Sequence, residues 1–558
     1  MYIDKHLALE QKTVYELFAW HSQKFVIPSY QRPYAWTEEQ CQTFLDDLLD
    51  FAFPSDKEFE RDHDAYFLGD ITVYHNKQGL DELVDGQQRV ITLSLLLRAL
   101  YNIVEDKRDL GRCLWYTSER GEADCTRLKI EWTKLGGTVD NSLKNILIVG
   151  VAVKKDTSQF ATNYKFFQQA IKDWTPEQQE AFAHRLLENV YLIKRIATDL
   201  DEALTMFITI NDRGKSLAIE DIFKAELCND AYAKGGMKAC NEFVEYWDSL
   251  VKRCDNLFSH DEKLSPIAFA FLIYAYQFGK KYDWREMKKF YSANKYSQLK
   301  APQTLVDIES MIDFFEKVTG EVDNAFDKST LRKVALCRSF NLASAWYLLG
   351  LFFLKTKGAA DFNAQFDAFT DRLLAFYVGA AACGELYLVN PPYKAIPSMP
   401  CLLGEETPDN WFSAQVIHNS FADPANNLSN MKLAQRLIMS WWYFRENNEM
   451  IPAKKMQIEH IFSKALAETR ELDNPALIES FGNIALLEGK INGKAKNHRF
   501  IDKKKFYLEY GGVGTANVEL QRLARTKNDF AEEDIIQRNE SILNAILDLL
   551  RAQDFLRE

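Results

Sequence analysis

Four residues near the C-terminal end have the types and order that phosphodiester chemistry requires: Glu459 and His460 in MQIEHIF, Asn483 in FGNIALL and Asn492 in KINGKAKN. A hard divalent cation such as Mg2+ or Mn2+ takes oxygen ligands. The Glu459 carboxylate and the Asn492 amide oxygen supply two, leaving room for water and a phosphate. His460, with an ordinary pKa of about 6.5, can be neutral at working pH and take the proton of an attacking water. Asn483 would hold the His460 ring through a backbone or side-chain hydrogen bond. Lys494, Lys496, Arg499, Lys503, Lys504 and Lys505 follow, and Asp502 is the only acidic side chain in residues 490–505. A local positive surface of this kind suits phosphate-backbone contact, even on a chain of net charge −12.

A second set lies in LVDGQQRVITL, residues 83–93. Gly86 permits a tight turn from an apolar strand into an apolar helix. The amides of Gln87, Gln88 and Arg89 would then face outward at the positive end of the helix dipole, where an anion binds. Arg89 would add a bidentate phosphate contact, and Asp85 could hold a metal or a hydroxyl. Upstream, in FVIPSYQRPYAW, Pro28 and Pro33 stiffen an extended loop expected to present Tyr30, Gln31, Arg32, Tyr34 and Trp36. Downstream, Asn211, Asp212, Arg213 and Gly214 read as a turn, with Ser216 capping a helix from Leu217. Each stretch alone also has a plain structural explanation: a capped strand-to-helix turn, a hairpin packed by its own rings, an ordinary NDRG turn, an incidental exposed histidine.

These groups need elements to hold them. Residues from about 12 to 225 alternate β-type runs, such as YFLGDITVYH and VYLIKRIAT, with amphipathic helices, which suggests an α/β unit. From about 226 to 445 apolar residues recur at three- and four-residue spacing, as in NLASAWYLLGLFFL, and a mostly helical region is expected. After Ile451-Pro452 a polar, basic segment carries the Glu459 to Asn492 series, and the acidic-first tail from Glu532 reads as a packing helix. The expected class is therefore α+β and multidomain, divided at 1–230, 231–450 and 451–558. Trp441, Trp442, Tyr443 and Phe444 are expected in the core, and Cys383 to Pro400 as an irregular, proline-rich loop. Nine cysteines without a CxxC pair are expected to be buried reduced thiols. No run has the length of a membrane span, and MYIDKHLALEQ lacks a signal pattern, so no membrane partner and a cytoplasmic location are expected.

In order, wording and spacing, IPSYQRPYAW, YFLGDITV, LVDGQQRVITL and FITINDRGKSLAIEDIFKA resemble the GmrS kind of N-terminal domain, a ParB-like fold of modification-dependent restriction systems. The likeness spans roughly residues 12–230, with Val90 standing where Leu is commoner. It implies a nucleotide site at Asp85, Gly86, Gln87, Gln88 and Arg89, with Tyr30, Gln31 and Arg32 nearby, and hydrolysis of GTP, UTP, CTP or ATP. The segment from Met456 to Phe500 is similar to the GmrD-type HNH domain, a ββα-metal fold, and the interval of nine from Asn483 to Asn492 fits that pattern. Phe462 stands where that family often has proline, and Glu459 where other HNH enzymes have Asp.

Taken together, the resemblance implies a type IV, nucleotide-regulated endonuclease that acts on modified phage or foreign double-stranded DNA. The target would be glucosylated hydroxymethylcytosine DNA or, as for the SspE type, phosphorothioated DNA. Two other classes stay open: a nucleotide-switched DNA-binding protein with an inactive HNH segment, and a nonspecific nuclease effector of abortive infection. A homodimer is compatible with all three.

Overall fold

The computed structural model describes residues 8–558 except 21–22, 28–33, 55–64, 76–78, 119–122, 133–140, 154, 199–218, 259–263, 279–283, 321–325, 341, 409–410, 425–427, 429–430, 448–455, 468–471 and 510–513. The chain divides into two compact units, Met1–Arg253 with Tyr291–Ala301, and Cys254–Phe290 with Pro302–Glu558.

The first unit is built on a mixed sheet. Its strands are β1 (Ala8–Thr13), β2 (Phe25–Ile27), β3 (Tyr66–His75), β4 (Asp81–Asp85), β7 (Ile130–Trp132) and β8 (Val190–Ala197), while β5 (Trp115–Thr117) and β6 (Ala123–Leu128) pair separately. The sheet order is β1-β8-β3-β4-β2-β7, with β3 central, parallel to β8 and antiparallel to β4. The alternation in YFLGDITVYH sends Ile71 and Val73 into a core that also holds Leu83, Leu192 and the helix Gln87–Ile103. That helix is buried on nearly every face, as its run LSLLLRAL requires. Even Arg98 lies inside; its Nε donates to Leu147 O at 3.0 Å and its guanidinium covers the Tyr101 and Trp115 rings. Capping boxes at Thr13, Thr37 and Thr175 start three further helices, each satisfying two otherwise unpaired amides.

The second unit is mostly helical. Phenylalanines on the helices Pro302–Thr319, Ser344–Thr356 and Phe362–Ala382 interlock: Phe314 with Phe353 at 4.9 Å and Phe352 with Phe369 at 4.5 Å. Trp441, Trp442 and Tyr443 are buried in it, as core residues should be. The short strands β9 (Phe412–Ser413) and β12 (Leu556–Arg557) pair in parallel. The strands β10 (Met456–His460) and β11 (Ile484–Glu488) form an antiparallel pair, followed by the helices Gly489–Ala495 and Phe500–Leu508. Among the described residues no helix is long and apolar enough to cross a membrane.

Two expectations are corrected. Cys228 and Cys240 are joined in a disulfide, with Cα atoms 5.1 Å apart. The helix Ile219–Leu257 breaks at Gly235 and Gly236, and that fold-back brings the two cysteines together. Five of the seven remaining cysteines, including Cys113 and Cys337, are buried free thiols. The stretch from Cys383 to Pro400 is not an irregular loop but a chain of short helical turns, Leu386–Val389, Pro392–Ala395 and Ile396–Ser398, leading into Met399–Leu403. Pro392, Pro397 and Pro400 occupy first-turn positions, where a missing N–H costs nothing, and Pro391 is the N-cap of the second turn.

Candidate functional site

The turn after β4 is built by one left-handed glycine. Gly86 has φ +81, and a Cβ there would lie 2.7 Å from Ile71 Cγ2 and 3.0 Å from Asp70 O, so any other residue is excluded on two grounds. The first intrahelical bond runs from Val90 N to Gly86 O at 3.0 Å, so the amides of Gln87, Gln88 and Arg89 precede the ladder. Asp85 accepts from the Gly86 amide at 2.7 Å. Burial pushes its carboxyl up, while the Gly86 amide, Arg89 and Arg195 hold it down. Arg89 folds back onto β3: Nη1 donates to Asp70 O at 2.8 Å, and the guanidinium lies over Gly69, whose φ of +122 and missing Cβ allow the approach. Gln87 and Gln88 are buried, and Gln88 Oε1 accepts from the Ala35 amide at 2.8 Å.

The last bond ties the helix start to the end of the aromatic loop. Tyr34, expected to be presented by that loop, is instead a core residue. Its hydroxyl meets Thr92 Oγ1 at 2.8 Å and accepts from Asn163 Nδ2 at 2.9 Å, because the stripe next to the loop offers a buried polar pair. Trp36 is half-buried against Phe44. Tyr30, Gln31 and Arg32 lie outside the described residues, as do residues 211–214, 216 and 217 of the NDRG turn and its helix cap.

In the second unit, Glu459 and His460 end β10 and point to opposite sides of it. His460 Nε2 lies 3.4 Å from Glu479 Oε2, and Lys464 pairs with the same carboxylate. Burial, then Lys464, pushes the imidazole pKa down, against the pull of Glu479, so the ring is neutral near pH 7. If Nε2 carries the proton it donates to Glu479, and Nδ1 keeps a lone pair for a proton from water.

Asn483 was expected to hold the His460 ring. It acts one step away, on the main chain that follows: Oδ1 accepts from Phe462 N at 2.7 Å and Nδ2 donates to Phe462 O at 3.1 Å and Ile478 O at 3.0 Å. Its turn is clamped in turn by the tail helix Glu532–Arg551. Arg538 donates to the carbonyls of Phe481, Gly482 and Ile484 at 2.8–3.0 Å while pairing with Glu519 through two nitrogens at 2.8 Å. A Cβ on Gly482 would stand 2.0 Å from Ile535 O, so that turn needs glycine for the close approach.

Glu459 is not a free ligand. Its Oε1 accepts from Lys503 Nζ at 2.8 Å and from the Tyr507 hydroxyl at 2.7 Å, with all three side chains buried. Burial raises the Glu459 carboxyl and lowers the Lys503 ammonium, and each partner opposes the other's shift. Lys503 Nζ also reaches His460 O at 2.5 Å. Lys503 therefore leaves the expected basic surface, on which Lys494, Lys496, Arg499 and Lys505 are exposed. Asn492 is half-exposed and donates to Gln457 Oε1 at 3.1 Å and Ile458 O at 3.4 Å. A divalent cation at Glu459 would have to share the carboxylate with a buried ammonium, so the Glu459 and Asn492 pair does not fit one as arranged, and no step is derived through it.

Sequence reasoning missed Glu479, Lys503 in its buried role and Arg538. Lys503 did carry a signal: Phe500, Lys503 and Tyr507 fall at helical spacing on one buried stripe.

Both ends of the chain match one system. The model of the GmrSD restriction endonuclease N-terminal domain matches residues 14–228, and that of the C-terminal domain of GmrSD restriction endonucleases matches residues 411–545. Each belongs to a class of enzymes that cut DNA. The chain is a member of the GmrSD restriction endonuclease family. No curated protein matches it.

Proposed function

We propose that this chain is a modification-dependent, nucleotide-regulated DNA endonuclease that acts against phage or other foreign double-stranded DNA. In this reading His460 is the general base for phosphodiester hydrolysis, and the observation that carries it is a half-buried imidazole 3.4 Å from Glu479 Oε2 at the end of β10, its pKa pushed down by burial and Lys464. Asn483 and Arg538 fix the main chain around it, and the exposed Lys494, Lys496, Arg499 and Lys505 take the DNA backbone. The turn at Asp85 to Arg89 binds and hydrolyses a nucleoside triphosphate, GTP, UTP, CTP or ATP, on the amides of the helix Gln87–Ile103. The helical middle couples the two ends. Glucosylated hydroxymethylcytosine DNA is favoured slightly over phosphorothioated DNA as target, because both end domains match the GmrSD pattern.

One observation favours the alternative of a nucleotide-switched DNA-binding protein: Lys503 already balances the charge of Glu459, the carboxylate a Mg2+ or Mn2+ ion would need. Cleavage assayed with Mg2+, with Mn2+ and with chelator separates the two readings. For the nucleotide site, Arg89→Ala should weaken triphosphate binding at least about tenfold, the usual scale of a lost charge-assisted contact. Equilibrium binding of each triphosphate to the full chain measures this, and unchanged affinity would count against a phosphate cradle at this turn.

A further inference from the structure

The main chain between His460 and Lys464 is tied down at three consecutive residues. Lys503 Nζ donates to His460 O at 2.5 Å, Ile461 N donates to Asn483 O at 2.8 Å, and the Asn483 amide grips both the N–H and the C=O of Phe462. The segment then enters the short helix Lys464–Ala467, so Lys464 projects from a fixed start. Its ammonium pairs with Glu479 Oε1, while His460 Nε2 lies at Oε2 of the same carboxylate. Two cations, Lys464 and Lys503, act on His460. They differ in access: the Lys503 side chain is 0% exposed and engaged by Glu459, whereas that of Lys464 is 52% exposed. Of these two, only Lys464 can be reached by a phosphate arriving from solvent. An ion pair this exposed contributes little, so Lys464 can exchange Glu479 for a phosphate oxygen at small cost.

We propose that Lys464 is a catalytic residue of this site, leaving Glu479 to donate to a non-bridging oxygen of the scissile phosphate and neutralising the charge that builds there as water attacks. Phosphodiester hydrolysis concentrates negative charge on those oxygens, and a cation placed where charge develops stabilises the transition state more than the ground state. The exchange also releases Glu479 Oε1, so the whole carboxylate is left to the imidazole as His460 takes the proton and becomes cationic. This rests on the reading of His460 as the general base.

The test uses the full chain with T-even phage DNA and phosphorothioated DNA as substrates, in the wild type, Lys464→Ala, Lys464→Arg, Glu479→Gln and Lys464→Ala combined with Glu479→Gln. Single-turnover cleavage at saturating protein gives the rate, and DNA affinity is read in the His460→Ala background, where the DNA stays whole. Lys464→Ala should lower the rate at least about a hundredfold, the scale of one lost transition-state donor, and leave DNA affinity nearly unchanged. Lys464→Arg keeps a cation and should recover most of the rate. In the Glu479→Gln background Lys464→Ala should cost as much again, because the phosphate contact does not run through Glu479. A wild-type rate in Lys464→Ala would overturn the assignment and leave His460 as the base. A loss confined to affinity would mark a plain backbone contact, and a loss that vanishes in the Glu479→Gln background would reduce Lys464 to holding Glu479; either overturns it as well. A wild type that cuts neither DNA, or cutting that survives in His460→Ala, overturns the general-base reading itself, and this inference with it.

Discussion

His460→Ala should lower DNA cleavage by about two to four orders of magnitude, the range that a positioned general base contributes, and should leave triphosphate binding to the full chain unchanged. The imidazole is held beside Glu479 at 3.4 Å. The same site fixes a pH dependence. Burial and Lys464 push the His460 pKa below the ordinary histidine value, so the neutral base persists to lower pH than for a free imidazole. Cleavage in the wild type should therefore fall on the acid side only below about pH 6.5. A limb centred above that value would show that a different group sets the rate. Glu479→Gln keeps the size of the partner but removes its charge, and should move the limb further down, since Glu479 is the group that raises the ring's pKa.

Lys503→Met should strongly destabilise the C-terminal unit. Lys503 and Glu459 have side chains 0% and 4% exposed, so removing one partner strands a buried charge, at a cost of about 3–5 kcal/mol. The pH dependence of that loss follows from the carboxyl. Burial already raises the pKa of Glu459, and without Lys503 its largest opposing influence is gone. A carboxyl whose folded pKa lies above its unfolded one holds its proton more tightly when folded, so its stability contribution is present at low pH and lost as pH rises through the folded pKa. The variant should thus melt much below the wild type at neutral pH and approach it at acid pH. Glu459→Gln combined with Lys503→Met should recover most of the loss, since no charge is then left unpaired. Melting of the full chain at several pH values checks both statements, and a deficit that grows toward acid pH would refute the assignment of the pair.

The elements that carry the site were legible because their pattern is local. The alternation in YFLGDITVYH and VYLIKRIAT marks β3 and β8, and MQIEH and IALLE mark β10 and β11. Gly86 was readable as a turn because only a residue without Cβ tolerates both its φ and the approach of Ile71. Residues whose roles depend on burial or on distant partners were not legible. Lys503 looks like one more cation in a basic run until the helix Phe500–Leu508 turns it inward onto Glu459. Glu479 is 19 residues from His460, in a short 3-10 turn without periodicity, and Arg538 is 54 residues from Ile484, whose carbonyl it grips. Tyr34 looked like a presented loop ring because its partners Thr92 and Asn163 lie 58 and 129 residues away. The disulfide Cys228–Cys240 depends on a helix break whose only sequence mark is Gly235-Gly236.

If His460 cuts modified DNA, cleavage must depend both on the modification and on this ring. The most direct measurement incubates the purified full chain with plasmid, with T-even phage DNA carrying glucosylated hydroxymethylcytosine and with phosphorothioated DNA. Each substrate is tested with Mg2+, Mn2+ or chelator and with each triphosphate, in the wild type and in His460→Ala. One modified DNA should be cut, unmodified plasmid should be spared, and cutting should disappear in His460→Ala. Cutting of every DNA alike would instead mark a nonspecific effector, and cutting of none, or cutting that survives in His460→Ala, would rule out His460 as the base of a modification-dependent nuclease.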